Sequence, residues 1–224
     1  MNTTNKIIEC LDNTLNSYKK PVTLLSKTDE NEFIIDDTIM FDWDEISKLY
    51  SNEDESSSVD AIYCYIEKDE LTLYLFEFKN YNLHDPFFDA RKQLNGIINN
   101  LKEIESCCEY AKKIRKLKKK LISKKIISLK TKPIESLILL HKVLKENGIS
   151  SEEMIGIRKE YYIVSKTPIS GNKSNWHRRG RNREIFGFID KIKPIPFAEI
   201  EHLCEEAYYK FIDNLKNNNK IFNG

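Results

Sequence analysis

No stretch of this chain stays apolar for the length a transmembrane helix needs, and residues 1–20 lack the apolar centre of a secretory signal. Both absences point away from the membrane. The five cysteines are an odd number, with Cys107 and Cys108 adjacent and badly placed to bridge each other. No CxxC occurs, and no Cys/His pair stands at zinc spacing, so neither a disulfide framework nor a structural zinc site is expected. The cysteines read as reduced packing residues of a cytoplasmic protein. There is no Walker loop, no GxGxxG and no GxSxG, which removes support for nucleotide-binding, dinucleotide-binding and serine-hydrolase readings. Internal repeats and Gly/Pro/Ser-rich linkers are also missing, and residues 1–224 are taken as a single domain.

What is present is 40% hydrophobic and 32% charged, a composition that fits a globular domain with a real core. The net charge of +1 hides an asymmetry. Residues 1–109 hold 10 Lys and Arg against 23 Asp and Glu, whereas residues 110–183 hold 21 against 5. An acidic half followed by a basic one suggests a polyanionic partner for the second. The plain alternative is two faces that attract each other within the fold.

Periodicity gives the coarse order. Ile7, Ile8, Leu11, Leu15 and Tyr18 predict a helix over 4–18. Residues 32–40 form a β-prone run, and 41–50 a short helix with Asp42 as its cap. The polar 51–58 reads as a loop, followed by a pair of strands in SVDAIYCYIEKDELTLYLFEFKN, residues 58–80. A long helical region is expected from Pro86 to about residue 130, with a new helix started by Pro133 and stopped near Gly148. Residues 159–166 read as a strand, 171–184 as a loop and 200–215 as a final helix.

The strand pair can be read in register. A turn centred between Lys68 and Asp69 pairs each residue i with 137 − i, which sets Ile62 opposite Leu75, Cys64 opposite Leu73 and Asp60 opposite Glu77. Opposed Cβ atoms lie about 4.5–5.5 Å apart. Lys79 follows Glu77 by two residues and so shares its face. The second face pairs Ala61 with Phe76, Tyr63 with Tyr74 and Tyr65 with Thr72, so both faces are largely apolar, as for strands covered on both sides. Facing carboxylates repel unless a cation sits between them. Mg²⁺ accepts one or two carboxylates and keeps positions for water and a substrate phosphate, and a neighbouring lysine can orient water or steady developing charge. A surface salt bridge of Lys79 with Glu77 or Asp60 is the ordinary alternative.

Asp60 before one strand and Glu77-Phe78-Lys79 on the next resemble the PD-(D/E)xK nuclease superfamily. The resemblance covers roughly residues 1–100 plus a possible return strand at 159–166. It implies an α/β, restriction-endonuclease-like central mixed β-sheet flanked by helices, to which this chain's own lysine-rich sequence adds a basic helical insertion at about 105–150. It further implies that Asp60 and Glu77 are metal ligands for Mg²⁺ or Mn²⁺ and that Lys79 is the catalytic lysine. Members often add an acidic residue from the first core helix; Glu9 is the candidate, with Glu45 its competitor. Val59 stands where the motif has proline. Gln93 falls where some exonuclease branches carry Q-x-x-x-Y, but Ile97 replaces the tyrosine.

The basic half supplies a second constellation. In AKKIRKLKKKLISKK, residues 111–125, a stripe of Ile114, Leu117 and Leu121 leaves Lys112, Lys113, Lys116, Lys119 and Lys120 around it, suited to sequence-independent phosphate attraction or simply to a solvated face. In NWHRRGRNR, Arg178, Arg179, Arg181 and Arg183 stand beside Trp176. Guanidinium forks suit phosphates or guanine edges, and tryptophan can stack on a base. A protein-docking loop is the alternative. His84, His141 and His202 fall in no triad or metal spacing.

The expectation is therefore a Mg²⁺-dependent deoxyribonuclease, an endonuclease, with DNA as partner, RNA as the alternative polyanion, and a second copy of the chain as a further partner. Its rival is a non-catalytic nucleic-acid-binding or protein-interaction module on the same fold.

Overall fold

Lys68 and Asp69 both adopt left-handed backbone angles, φ 50° and 67°. That is the geometry of a two-residue type I′ turn, whose twist matches the strands it joins. The hairpin consists of β3 (Ala61–Glu67) and β4 (Glu70–Lys79). Their register is Ala61 with Phe76, Ile62 with Leu75 and Cys64 with Leu73, as a turn centred between Lys68 and Asp69 predicts. The computed structural model describes residues 2–27, 31–50, 57–80, 109–166 and 196–220, with side chains described from residue 127 in the long helix and up to 218 in the last one.

The hairpin is the centre of a six-stranded mixed sheet, ordered β1 to β6. β1 (Lys19–Pro21) and β2 (Ile39–Asp42) extend it antiparallel beyond β3. β5 (Arg158–Ser165) lies parallel to β4, and β6 (Glu199–Cys204) parallel to β5. Helices flank the sheet on both sides. One face packs Ile62, Leu73, Leu75, Tyr161 and Ile163 against α1 (Thr3–Leu15), α3 (Trp43–Tyr50) and α4 (Glu109–Glu146). The other packs Phe76, Phe78, Tyr162 and Val164 against Tyr208, Ile212 and Leu215 of α6 (Glu205–Lys220). Each such side chain, fully buried, contributes roughly 1.5–3 kcal/mol. Two short helices, α2 (Val22–Leu25) and α5 (Ser151–Ile155), and a 3-10 turn, Asn16–Tyr18, complete the described elements.

Several local expectations need correction. Pro133 does not start a new helix; α4 runs continuously through it. A proline removes the amide that would bond the carbonyl four residues back. Here that carbonyl belongs to Leu129, and the buried Tyr161 hydroxyl donates to it at 3.2 Å. The helix continues because a strand residue fills the missing bond. Its end near Gly148 agrees with expectation: Gly148 takes φ 80°, its amide bonds Lys145 O, and the Ile149 amide bonds Leu144 O. This is a Schellman stop closed by the buried Leu144 and Ile149.

Only the end of the β-prone 32–40 run becomes a strand, because Asp36 draws the preceding chain towards α6. Its carboxylate accepts from Thr38 Oγ1 (2.7 Å), the Tyr208 hydroxyl (3.0 Å) and Lys216 Nζ (2.8 Å). Residues 200–204, expected as the start of the last helix, instead belong to β6 and pair with β5. α5 went unread in the sequence, although Ser150 and Glu153 form a complete capping box there. The expectations for 51–56, for 81–108 and for the arginine-rich 171–184 lie outside the described residues. Cys10, Cys64 and Cys204 are free thiols. Among the described residues no helix is long and apolar enough to cross a membrane.

Candidate functional site

Asp60 sits immediately before β3 and is held by its own backbone. Its amide donates to Phe76 O (3.0 Å) and its carbonyl accepts from the Trp43 amide (3.1 Å), tying the hairpin to the first residue of α3. The preceding Val59 amide donates to Ser136 Oγ on α4 at 2.9 Å. Asp42 caps α3 through the Glu45 amide (3.0 Å), as expected. These bonds bring three elements together at one corner of the sheet.

Across the ladder Glu77 is fully buried within β4. Burying a carboxylate is tolerable only with charged or hydrogen-bonding partners. Lys79 forms an ion pair with Glu77 Oε1. Lys132, from α4, lies 2.9 Å from the same oxygen and 3.7 Å from Asp60 Oδ1. Glu77 Oε2 is buried with no hydrogen-bond partner among the described residues. Asp60 Oδ2 accepts from the Phe78 amide at 2.5 Å. The structure thus places Asp60, Glu77 and Lys79 together, as the register predicts.

Burial pushes the Asp60 carboxyl up to about 7, the facing Glu77 adds to the rise, and Lys79 and Lys132 oppose it. Burial works most strongly against the Lys132 ammonium, but Glu77 and Asp60 together more than offset it and its pKa is raised. The hydroxyl of Tyr161 is pushed far up, by burial first and then by Glu77 and Asp60. Ionisable groups perturbed together in this way are a mark of functional sites.

Of the acidic side chains expected to complete the site, Glu9 is exposed on α1. Glu45 turns towards Lys20 (3.7 Å) and Lys48 (4.0 Å). The α3 carboxylate near enough to act on the pair is Asp44. It accepts from the Ser58 hydroxyl at 2.6 Å, and burial raises its pKa, with Ser58 and Lys132 opposing the rise and Glu77 adding to it. Sequence reading missed both Asp44 and Lys132. A hint of the first lay beside the cap: Asp42 starts α3, so Asp44 falls in its first turn. Nothing local marks Lys132 among so many lysines.

Parallel pairing adds one further group. Lys79 lies in register with Ser165, whose hydroxyl shares a 2.8 Å hydrogen bond with His202 Nε2 on β6. The carboxyl ends of β4, β5 and β6 therefore lie side by side at one end of the sheet.

A divalent cation suits this donor set in part. A pair of carboxylates is enough for Mg²⁺ when water fills the other positions, and the unpartnered Glu77 Oε2 offers a lone pair. No group of three or more His, Cys, Asp and Glu side chains stands ready to hold a metal ion among the described residues. The side chains of Lys112, Lys116, Lys119 and Lys120, and residues Gln93, Trp176, Arg178, Arg179, Arg181 and Arg183, lie outside the described residues. Comparison of the chain with family models, curated proteins and solved structures finds no match.

Proposed function

We propose that the chain is a metal-dependent nuclease of the restriction-endonuclease-like kind, hydrolysing phosphodiester bonds of DNA. The observation that carries the reading is the wholly buried Glu77 carboxylate, facing Asp60 and flanked by Lys79, at the carboxyl end of β4. The order of elements supports it as well: a helix, an antiparallel run β2–β3–β4, a helical crossover and a parallel β5.

Asp60 and Glu77 would hold Mg²⁺ or Mn²⁺, which when bound supplies a Lewis acid for the phosphoryl oxygen and a more acidic water. Lys79 orients the attacking water and balances charge on the phosphoryl oxygens. The amide of Phe78 fixes the Asp60 carboxylate through Oδ2, and Oδ1, 3.7 Å from Lys132 Nζ, is the oxygen that would serve a cation. Arg178, Arg179, Arg181 and Arg183, Trp176 and the lysines of 111–125 hold the polyanion that the acidic half would otherwise repel.

A second reading has its own support. Lys132 and Lys79 together already balance the carboxylate pair, and no ligand trio stands ready for a metal among the described residues. A DNA-binding module without cleavage would look like this. Incubating the full chain with supercoiled, linear and branched DNA, in Mg²⁺, in Mn²⁺ and in EDTA, separates the readings. Metal-dependent cleavage supports the nuclease; binding in EDTA with no cleavage in either metal supports the module.

A further inference from the structure

We infer that Lys132 is an internal counter-cation that competes with a divalent metal for Asp60 and Glu77, and that it thereby couples metal binding to phosphate binding. The inference rests on the nuclease reading of the carboxylate pair.

One ammonium touches both carboxylates, 2.9 Å from Glu77 Oε1 and 3.7 Å from Asp60 Oδ1. A divalent ion held by Glu77 Oε1 and Asp60 Oδ1 would meet this ammonium there. Mg²⁺ needs its oxygens at about 2.0–2.1 Å. An ammonium and a divalent ion cannot share that space, since they repel and claim the same lone pairs. With all carboxyls ionised, Asp44, Asp60 and Glu77 stand against Lys79 and Lys132. Removing Lys132 leaves an excess of negative charge that one divalent ion neutralises.

Lys132 is suited to leave. Its ammonium sits on a flexible four-carbon stem, unlike the backbone-fixed carboxylate of Asp60. A phosphodiester arriving at the pair offers it anionic oxygens. The ammonium that shields the carboxylates in the free protein then contacts substrate, and the carboxylates turn to the metal. Metal and phosphate each favour the state the other needs, and by linkage each tightens the other by the same factor. Lys132 also belongs to the helix whose earlier turns carry the densest run of lysines in the chain.

The test is calorimetric titration of the full chain with Ca²⁺, alone and with a short DNA duplex, for wild type, Lys132→Gln, Lys132→Arg and Glu77→Gln. Without DNA, Lys132→Gln should bind Ca²⁺ roughly tenfold more tightly than wild type, within the usual range of such couplings. Lys132→Arg keeps a cation in place and should stay near wild type. DNA should tighten Ca²⁺ binding in wild type and have little effect in Lys132→Gln. If Lys132→Gln is too unstable to titrate, Lys132→Met is compared with wild type by the rise in Tm on adding Ca²⁺, which should be larger in the variant. Equal or weaker Ca²⁺ binding in Lys132→Gln, or an equal or smaller rise in Tm in Lys132→Met, with binding still lost in Glu77→Gln, overturns the inference and leaves the metal site standing. Ca²⁺ binding that survives Glu77→Gln, or no binding in any variant, overturns the metal reading of the pair and the inference with it.

Discussion

The Tyr161 hydroxyl donates to the carbonyl of Leu129, the group that Pro133 deprives of its helical partner. The bond keeps α4 continuous where Lys132 must reach Glu77. Tyr161→Phe leaves a buried carbonyl unsatisfied and should cost about 1–3 kcal/mol in urea unfolding. Pro133→Ala restores an amide for Leu129 O, so Tyr161→Phe should cost clearly less in that background. Equal costs in both backgrounds would mean that the tyrosine does not substitute for the lost helical bond.

Asp60 gives the metal-free protein an unusual pH dependence. Its folded pKa is raised from 3.8 to about 7, so the folded state holds a proton that the unfolded state has released. Stability attributable to this group is full below about pH 4 and falls as pH rises towards 7. In EDTA, Asp60→Asn should flatten that fall. A wild-type Tm difference from the variant that does not change between pH 4 and 7 would contradict the assignment.

Asp36 should act with the opposite sign. Burial alone would raise its carboxyl, but Lys216, Thr38 and Tyr208 hold it below the usual value. Its contribution is therefore present above about pH 4 and lost on acidification. Asp36→Asn should destabilise by about 1.5–3 kcal/mol at neutral pH, the range for hydrogen bonds to charged groups, and by less in acid. Urea unfolding at both pH values measures this, and an equal loss at both would deny Asp36 its charged role.

The hairpin register was legible because the polar turn at Lys68 and Asp69, between two apolar runs, is enough to fix the pairing. The Asp42 cap was legible for the same local reason. Lys132 and Asp44 were not, because they reach the pair through tertiary packing of α4 and α3 and carry no pattern of their own. Pro133 misled because its rescue comes from Tyr161, in a strand well removed along the chain. Residues 200–204 misled because Ile200 and Leu203 continue into Ala207 and Phe211 at helical spacing, while Glu199 to Cys204 also fit a strand beside β5.

Under the proposed function, the arginine cluster holds the substrate and takes no part in cutting it. Replacing Arg178, Arg179 and Arg181 together with alanine should weaken DNA binding and lower the salt slope by about one for each phosphate no longer neutralised. Ca²⁺ binding at Asp60 and Glu77 should survive, since the hairpin makes that site. Fluorescence anisotropy across a salt series in Ca²⁺ reads the slope. An unchanged slope would assign the cluster to a protein partner.

The central claim is that the buried Glu77, Asp60 and Lys79 form a phosphodiesterase centre. Its most direct test is the rate at which purified wild type and Lys79→Ala, each checked for an unaltered fold by circular dichroism, cleave DNA in Mn²⁺. The account predicts metal-dependent cleavage by wild type and a loss of about 10²–10³-fold in the variant, the usual scale for removing one stabilising group from a transition state. Cleavage by Lys79→Ala at the wild-type rate, or none by wild type in any divalent metal, would contradict it.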